Sequence, residues 1–416
     1  MIDVTTHTLS NGITLLHHYD GATRMVALHL LYNVGSRDEQ PGHTGLAHLL
    51  EHLMFTGSAH VAHYDEPLQA AGGESNAWTS NDVTCYYDVL PAHNIETALW
   101  AESDRMFDLT LSDESIATQK SVVIEEFKER YLNAPYGDVF HLVSGLAYKK
   151  HPYRWPTIGN NVEEIEAFTR QEIHDFYSRY YVPGNLVMCL SGNIACDQAV
   201  SLAEKWLGSL PVRPVPVRNL QQEPEQTAPR FIKVERPVPM NMIVRAYRMC
   251  GRNAPDYHAC DMLSDVLANG KSSRFYANVM SQSQLFTELD AAVAGSHDPG
   301  LFYVRGRLAD GVSWQEAEDA IDGQLQLLLE RGVSHDEMEK CANKAESTML
   351  FENVSYSTVA SKLCMFHLLT GNASDINTEA ERYRKLHPDD LMRVARKLFD
   401  VNNCCTVHYA ASQVGI

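Results

Sequence analysis

TRQEIHDFYSRYYVPGNLVMCLSG, residues 169–192, can be laid without a gap on HPDDLMRVARKLFDVNNCCTVHYA, residues 387–410, at a constant offset of 218 (387 − 169). Each segment reads as a capped amphipathic helix, a turn containing Asn, and a short apolar strand. In a chain of 416 residues that offset is close to half the length, so the second segment is read as a duplicate of the first.

Working outward, the stretch GSLPVRPVPVRNLQQEPEQTAP at 208–229 is rich in Pro and Gln and poor in core-forming residues, and reads as a linker. It separates an N-terminal domain over 1–210 from a homologous domain over 230–416. In the first half the pattern predicts a hairpin turn at Asn11 and Gly12, a strand around MVALHLLYNVG, a helix through HLLEH and a strand through TCYYDVL. Runs of strands followed by runs of helices predict an α+β fold, each domain a mostly antiparallel sheet with helices packed on one face.

Composition narrows the function. With 44% hydrophobic and 21% charged residues the chain has the balance of a soluble globular protein, and its length suits two domains. A formal charge of −19 argues against nucleic acid, whose phosphates need clustered Lys and Arg, and favours neutral or basic partners. No window approaches eighteen consecutive apolar residues, so no membrane span is expected. MIDVTTHTLSNGITLLHHYD at the start has neither a basic leader nor an apolar core, which makes a cytoplasmic location the expectation. Nine cysteines without a CxxC pair fit a reducing compartment, several of them in apolar runs such as LVMCLSG.

The chemistry is concentrated in HLLEHLMFTGS, residues 48–58. On a helix His48 and His52 stand at i and i+4, so both imidazoles project from one face and can share a metal ion. Glu51, at i+3 from His48, can reach a water beside that ion without being a ligand. The order is H-x-x-E-H, the reverse of the commoner H-E-x-x-H. Two satisfied histidines and a surface glutamate are the bland alternative. Against it, Leu46, Leu49, Leu50 and Leu53 would bury this helix, and each polar group buried without a partner costs about 1–3 kcal/mol. A catalytic zinc needs a third protein donor. The helical pattern SIATQKSVVIEEFKERYL, Ser115 to Leu132, offers Glu125, Glu126 and Glu129, and helical geometry alone does not choose among them.

HLLEHLMFTGS, followed by GGESNAWTSNDVTCYYDV, QKSVVIEE, HPYRWPTIGN (151–160) and FYSRYYVPGNLVMCLSGN (176–193), resembles the pitrilysin family of zinc metallopeptidases. That group contains insulysin and the mitochondrial processing peptidases. The resemblance covers nearly the whole chain and is stronger in the first half. It implies one Zn2+ per chain, held by His48, His52 and Glu126, the last lying 74 residues (126 − 52) after the second His. Glu51 becomes the implied general base. Gln119 stands where relatives carry an acidic residue beside the site, and Asn76, Ala77 and Trp78 fall on a strand implied to line the substrate cleft. In the second half Met262, Asp265 and Val266 occupy the places of His48, Glu51 and His52, so no second metal site is expected there.

The implied activity is hydrolysis of small unfolded peptides in a chamber closed by a dimer. The family's Arg and Tyr, supplied by the partner's second half, align with Met280 and Thr287, which have neither the charge nor the phenol. A heterodimer with a homologous subunit carrying that pair is therefore expected. A homodimer using other donors, such as Arg274 or Arg305, is the rival. The alternative function is a weak or inactive subunit that binds peptides or scaffolds a partner.

Overall fold

The structure, a computed structural model, describes residues 1–412. Eleven strands, numbered in chain order, form two sheets among the described residues. The first contains β1 (Thr5–Thr8), β2 (Thr14–Tyr19), β3 (Met25–Tyr32), β4 (Glu74–Thr79), β5 (Thr84–Pro91) and β6 (Leu186–Gly192) in the order β1-β2-β6-β3-β5-β4. The second contains β7 (Arg230–Arg236), β8 (Met242–Arg248), β9 (Phe286–Ala294), β10 (Leu301–Leu308) and β11 (Cys404–Ala411) in the order β7-β11-β8-β10-β9. Each sheet is antiparallel except for one parallel pair, β2 with β6 and β7 with β11. Apart from β1 the two orders correspond strand for strand.

The helices used below are α1 (Leu46–Leu53), α2 (Ile95–Phe107), α3 (Asp113–Phe127), α4 (Val139–Ala147), α5 (Arg170–Tyr180), α6 (Tyr257–Ala268), α7 (Tyr356–Thr370) and α8 (Pro388–Leu398). Helices α5 and α8 begin and end at the same offset of 218 (388 − 170 and 398 − 180) as the repeat read from sequence. The fold is α+β, as expected. No helix among the described residues is long and apolar enough to cross a membrane.

The chain divides into two compact units that are not its two contiguous halves. One comprises Met1–Lys128, Trp155–Gln221 and Leu350–Thr378; the other comprises Glu129–Arg154, Gln222–Met349 and the chain from Glu379 onward. The physical reason is that each sheet has two apolar faces. In the first unit one face carries Tyr32, Tyr86 and Asp88 toward α1 and α2, while the opposite face carries Leu16, Leu31, Cys85, Val187 and Cys189. Val359, Ala360, Leu363 and Cys364 of α7 cover that second face, so helices do not pack on one side only. In the second unit Val139, Val143, Leu146 and Ala147 of α4 pack with Val244, Val407 and Tyr409. Each half thus supplies a helix to the other half's unit.

Residues 208–229 form no strand or helix, and they are tied down. In the first unit the Arg218 guanidinium donates to Asp38 (2.6 Å). In the second, Glu223 accepts the backbone amides of Lys149, Lys150 and His151 at 2.7–3.0 Å.

Candidate metal centre

Helix α1 is short, and its sequence divides it cleanly. Leu46, Leu49, Leu50 and Leu53 are buried, while His48 and His52 share another face and stack edge to face at 4.8 Å between ring centres. The helix starts at Gly45, whose φ of +95° is left-handed and whose would-be Cβ lies 2.5 Å from the carbonyl oxygen of Ile158. Gly45→Ala combines a strained dihedral with a backbone clash, and should cost about 2–3 kcal/mol of stability in urea titrations.

Helix α3 brings Glu126 to the histidine pair. Its Oε2 lies 3.8 Å from Nε2 of His48 and 3.5 Å from Nε2 of His52. Two ligands of a tetrahedral zinc with bonds of about 2.0–2.1 Å stand about 3.4 Å apart, so this spacing fits one shared ion. All three donor atoms lie within 4.8 Å of one another, and among the described residues this is the one such cluster of three or more His, Cys, Asp or Glu. Glu125 is instead paired with Lys128 (2.7 Å), and Glu129 falls beyond the end of α3, in a π-helical stretch over Lys128–Asn133. The three side chains retain 13, 24 and 17% exposure, so solvent can reach a fourth position.

Glu51 is buried beside them, and the Thr79 hydroxyl at the end of β4 donates to its Oε2. Sequence patterning gives no sign of Thr79; only the strand's approach to α1 reveals it. Strand β4 is a sheet edge, paired on one side with β5. Ala77 and Thr79, two apart, share the face toward α1. Trp78 packs instead with the apolar cluster under α7, on the opposite face, which Asn76 shares two residues earlier while accepting the Ala77 amide at 2.8 Å. The structure therefore brings Ala77 to the side of Glu51 and turns Trp78 away. Gln119 is half-buried on α3, seven residues before Glu126 and so on the same helical face.

Beneath α1 lies a buried ion pair that sequence patterning does not single out. Arg105 of α2 is 1% exposed and grips Glu102 through Nε (2.7 Å) and Nη2. Its guanidinium sits over Tyr64 (4.0 Å) and Tyr86 (4.4 Å), and Nη1 points at the Met54 carbonyl at the end of α1 (3.5 Å). Burial, and then the negative Glu102 alongside, push the Asp88 carboxyl well above its ordinary range, and the Tyr64 hydroxyl donates to its Oδ2 at 3.2 Å.

In the second unit α6 buries Met262 and Val266, and no metal-binding set is present there among the described residues. Met280 packs against the core of that unit, and Thr287 is exposed on β9 with its hydroxyl 3.4 Å from the Arg307 carbonyl. Of the substitute donors, Arg274 is committed to Glu337 (2.8 Å) and to the Gly332 carbonyl. Burial pushes the Glu337 carboxyl up, but the hydrogen bonds from Arg274 and the Ser334 amide outweigh it and hold it at about 2. Arg305 is bound to Glu288 (3.1 Å) and Asp290 (3.6 Å).

Comparison with known families matches residues 15–161 to "Insulinase (Peptidase family M16)" and residues 167–345 to "Peptidase M16 inactive domain". The chain belongs to peptidase family M16. The cluster of His48, His52 and Glu126 lies in the first matched segment, and α6 lies in the second. Among M16 relatives, the chain is 27% identical over 407 residues to "Zinc protease PqqE" of Helicobacter pylori, covering 96% of this chain and 91% of that one. It is 24% identical to "Uncharacterized zinc protease YmxG" of Bacillus subtilis, covering 94 and 95%. A crystal structure of a protease from Helicobacter pylori superposes with a TM-score of 0.92 at 26% identity, over 98% of this chain and 100% of that one. A putative M16-like peptidase from Alicyclobacillus acidocaldarius gives 0.86 at 19% identity, over 99% of each, which shows the shared fold. Relatives of this M16 chain are thus named zinc proteases, and its fold is that of the solved structures it superposes on.

Proposed function

We propose that this M16 protein is a zinc endopeptidase that hydrolyses small unfolded peptides, with His48, His52 and Glu126 as the metal ligands and Glu51 as general base. The observation that supports it most is the convergence of the three donor atoms at zinc spacing, with a buried carboxyl one turn away. A zinc ion held there would polarise a peptide carbonyl and bring the pKa of a bound water to about 7.

The protein's own groups do the rest. Glu51 takes the proton of the attacking water and delivers it to the departing amine. Thr79 donates to one of its oxygens, which fixes the plane of the carboxyl. The substrate adds as a strand along the edge of β4, where main-chain hydrogen bonds give affinity with little dependence on sequence. Ala77, on the Glu51 side of that strand, leaves room for a substrate side chain. An acidic surface favours basic peptides.

A homologous subunit completes the assembly in this reading. What supports a heterodimer is that Met280 and Thr287 supply neither charge nor phenol, while Arg274 and Arg305 are already engaged with acidic partners. The same substitutions favour a second reading, a peptide-binding subunit with little activity of its own.

Metal analysis and a cleavage assay test both. The purified chain should carry about one zinc per molecule, and 1,10-phenanthroline should abolish cleavage of an unstructured basic peptide until zinc is restored. Cleavage should rise on adding the nearest homologue from the same cell. Undiminished cleavage after full zinc removal would rule out the hydrolytic reading; zinc uptake without cleavage, alone or with the homologue, would leave the peptide-binding one.

A further inference from the structure

Helix α1 has a problem of placement. It is eight residues long, too short to be stable by itself, and Gly45 at its start has no side chain with which to cap it. Yet a zinc site tolerates only about 0.2 Å in its ligand distances. Something outside the helix must set its position relative to Glu126 and to β4.

Glu39 meets the description. Its carboxyl is 7% exposed and accepts the amide of Gly45 at Oε2 (3.0 Å) and that of Ala47 at Oε1 (2.8 Å), one residue before His48. The turn that carries it, Ser36–Asp38, is bonded in its own right to the loop that follows β4. The Ser36 amide donates to the Ser80 carbonyl (3.1 Å) and the Arg37 amide to the Asn81 carbonyl (2.9 Å). Arg37 also reaches Asp82 at 2.7 Å, and the Trp155 indole donates to the Ser36 carbonyl at 2.8 Å. Gly35 lets the two loops close, since a Cβ there would stand 2.4 Å from the Ser80 oxygen. One residue before Ser80 is Thr79, which donates to Glu51 on α1. The hydrogen bonds therefore form a closed ring, from the start of α1 through Glu39, the Ser36 turn, the Ser80 loop and Thr79, back to the Glu51 of the same helix.

We infer that Glu39 is a positioning residue for the metal centre: by holding the Gly45 and Ala47 amides it sets the register of α1 against the edge strand β4, and so the places of His48, Glu51 and His52. Burial pushes the Glu39 carboxyl above its ordinary range and the two amides pull it back, and both of its oxygens are used as acceptors. Glutamine keeps the length of the side chain but offers one acceptor, and turns its NH2 toward the second amide. The inference rests on the metal-centre reading above, and the test separates the two.

Apoprotein of the full chain is titrated with Zn2+ against a chromophoric chelator, and separately loaded with Co2+ to record its visible d–d absorption. Urea unfolding of each apoprotein is measured alongside. Glu39→Gln should weaken zinc binding by about 10-fold or more in the folded protein and alter the cobalt spectrum. Glu223→Gln, which removes a carboxyl that holds three backbone amides in the other unit, serves as the control and should lose stability with zinc affinity unmoved. If Glu39→Gln does not fold, Glu39→Asp, whose two oxygens are withdrawn by one methylene, is read by the same measurements and the same shift is expected. Loss of stability with parental zinc affinity and an unchanged cobalt spectrum would overturn the positioning role alone. A parent chain that takes up no zinc would overturn the metal-centre reading together with it.

Discussion

Glu51→Gln should lower kcat/KM for peptide cleavage by about 10²–10⁴-fold while the protein still binds zinc like the parent. The two parts of that outcome separate a base from a ligand. Glutamine has nearly the volume of glutamate and keeps an oxygen to accept the Thr79 hydroxyl, so the buried site keeps its packing and that hydrogen bond. It cannot accept a proton at neutral pH. At the middle of that range, a thousandfold, the loss corresponds to about 4 kcal/mol of transition-state stabilisation. Parallel metal analysis and kinetics on the same preparation decide it: cleavage at the parental rate would remove Glu51 from the mechanism, and lost zinc would move it into the ligand set.

The second large effect concerns stability. Arg105→Met should destabilise the protein by about 3–5 kcal/mol, because it leaves Glu102 buried without its bidentate partner. Burial opposes the charge on Arg105, and the Glu102 carboxylate more than compensates, so the guanidinium stays ionised in the core. Removing one partner costs far more than the pair contributes, since what remains is an uncompensated charge. Replacing both, as Arg105→Met with Glu102→Leu, should therefore recover most of the loss. Urea unfolding of the two single variants and the double variant measures this, and a double variant no better than Arg105→Met would show that the contacts with Tyr64, Tyr86 and Met54 matter more than the ion pair.

Much of this was legible in the chain. The gapless repeat predicts a helix in each of its two copies because capping and amphipathic spacing are local properties, and the structure places α5 and α8 there. The i, i+4 histidines were legible for the same reason. Glu126 was not separable from Glu125 and Glu129 by helical geometry, because the end of α3 and the change to a wider helical turn at Lys128 depend on packing. Period-two alternation says that Ala77 and Trp78 point opposite ways, but not which of them faces α1; that is fixed by the helices on either side of the sheet. Thr79 and Glu39 were out of reach altogether, since their hydrogen bonds join segments whose proximity no spacing rule encodes. The exchanged helices α4 and α7 escaped for a related reason: an apolar helical face declares that it is buried, not which sheet it covers.

That exchange bears on how the protein can be dissected. Severing the chain at the Pro-rich segment would give two fragments, each carrying a helix it has no sheet for and lacking the one its own sheet needs. A fragment ending near residue 210 would expose Leu16, Leu31, Val187 and their neighbours to water, however intact its histidines. The half without a metal-binding set among its described residues is thus obligatory scaffolding for the half that has one, and truncation cannot separate them.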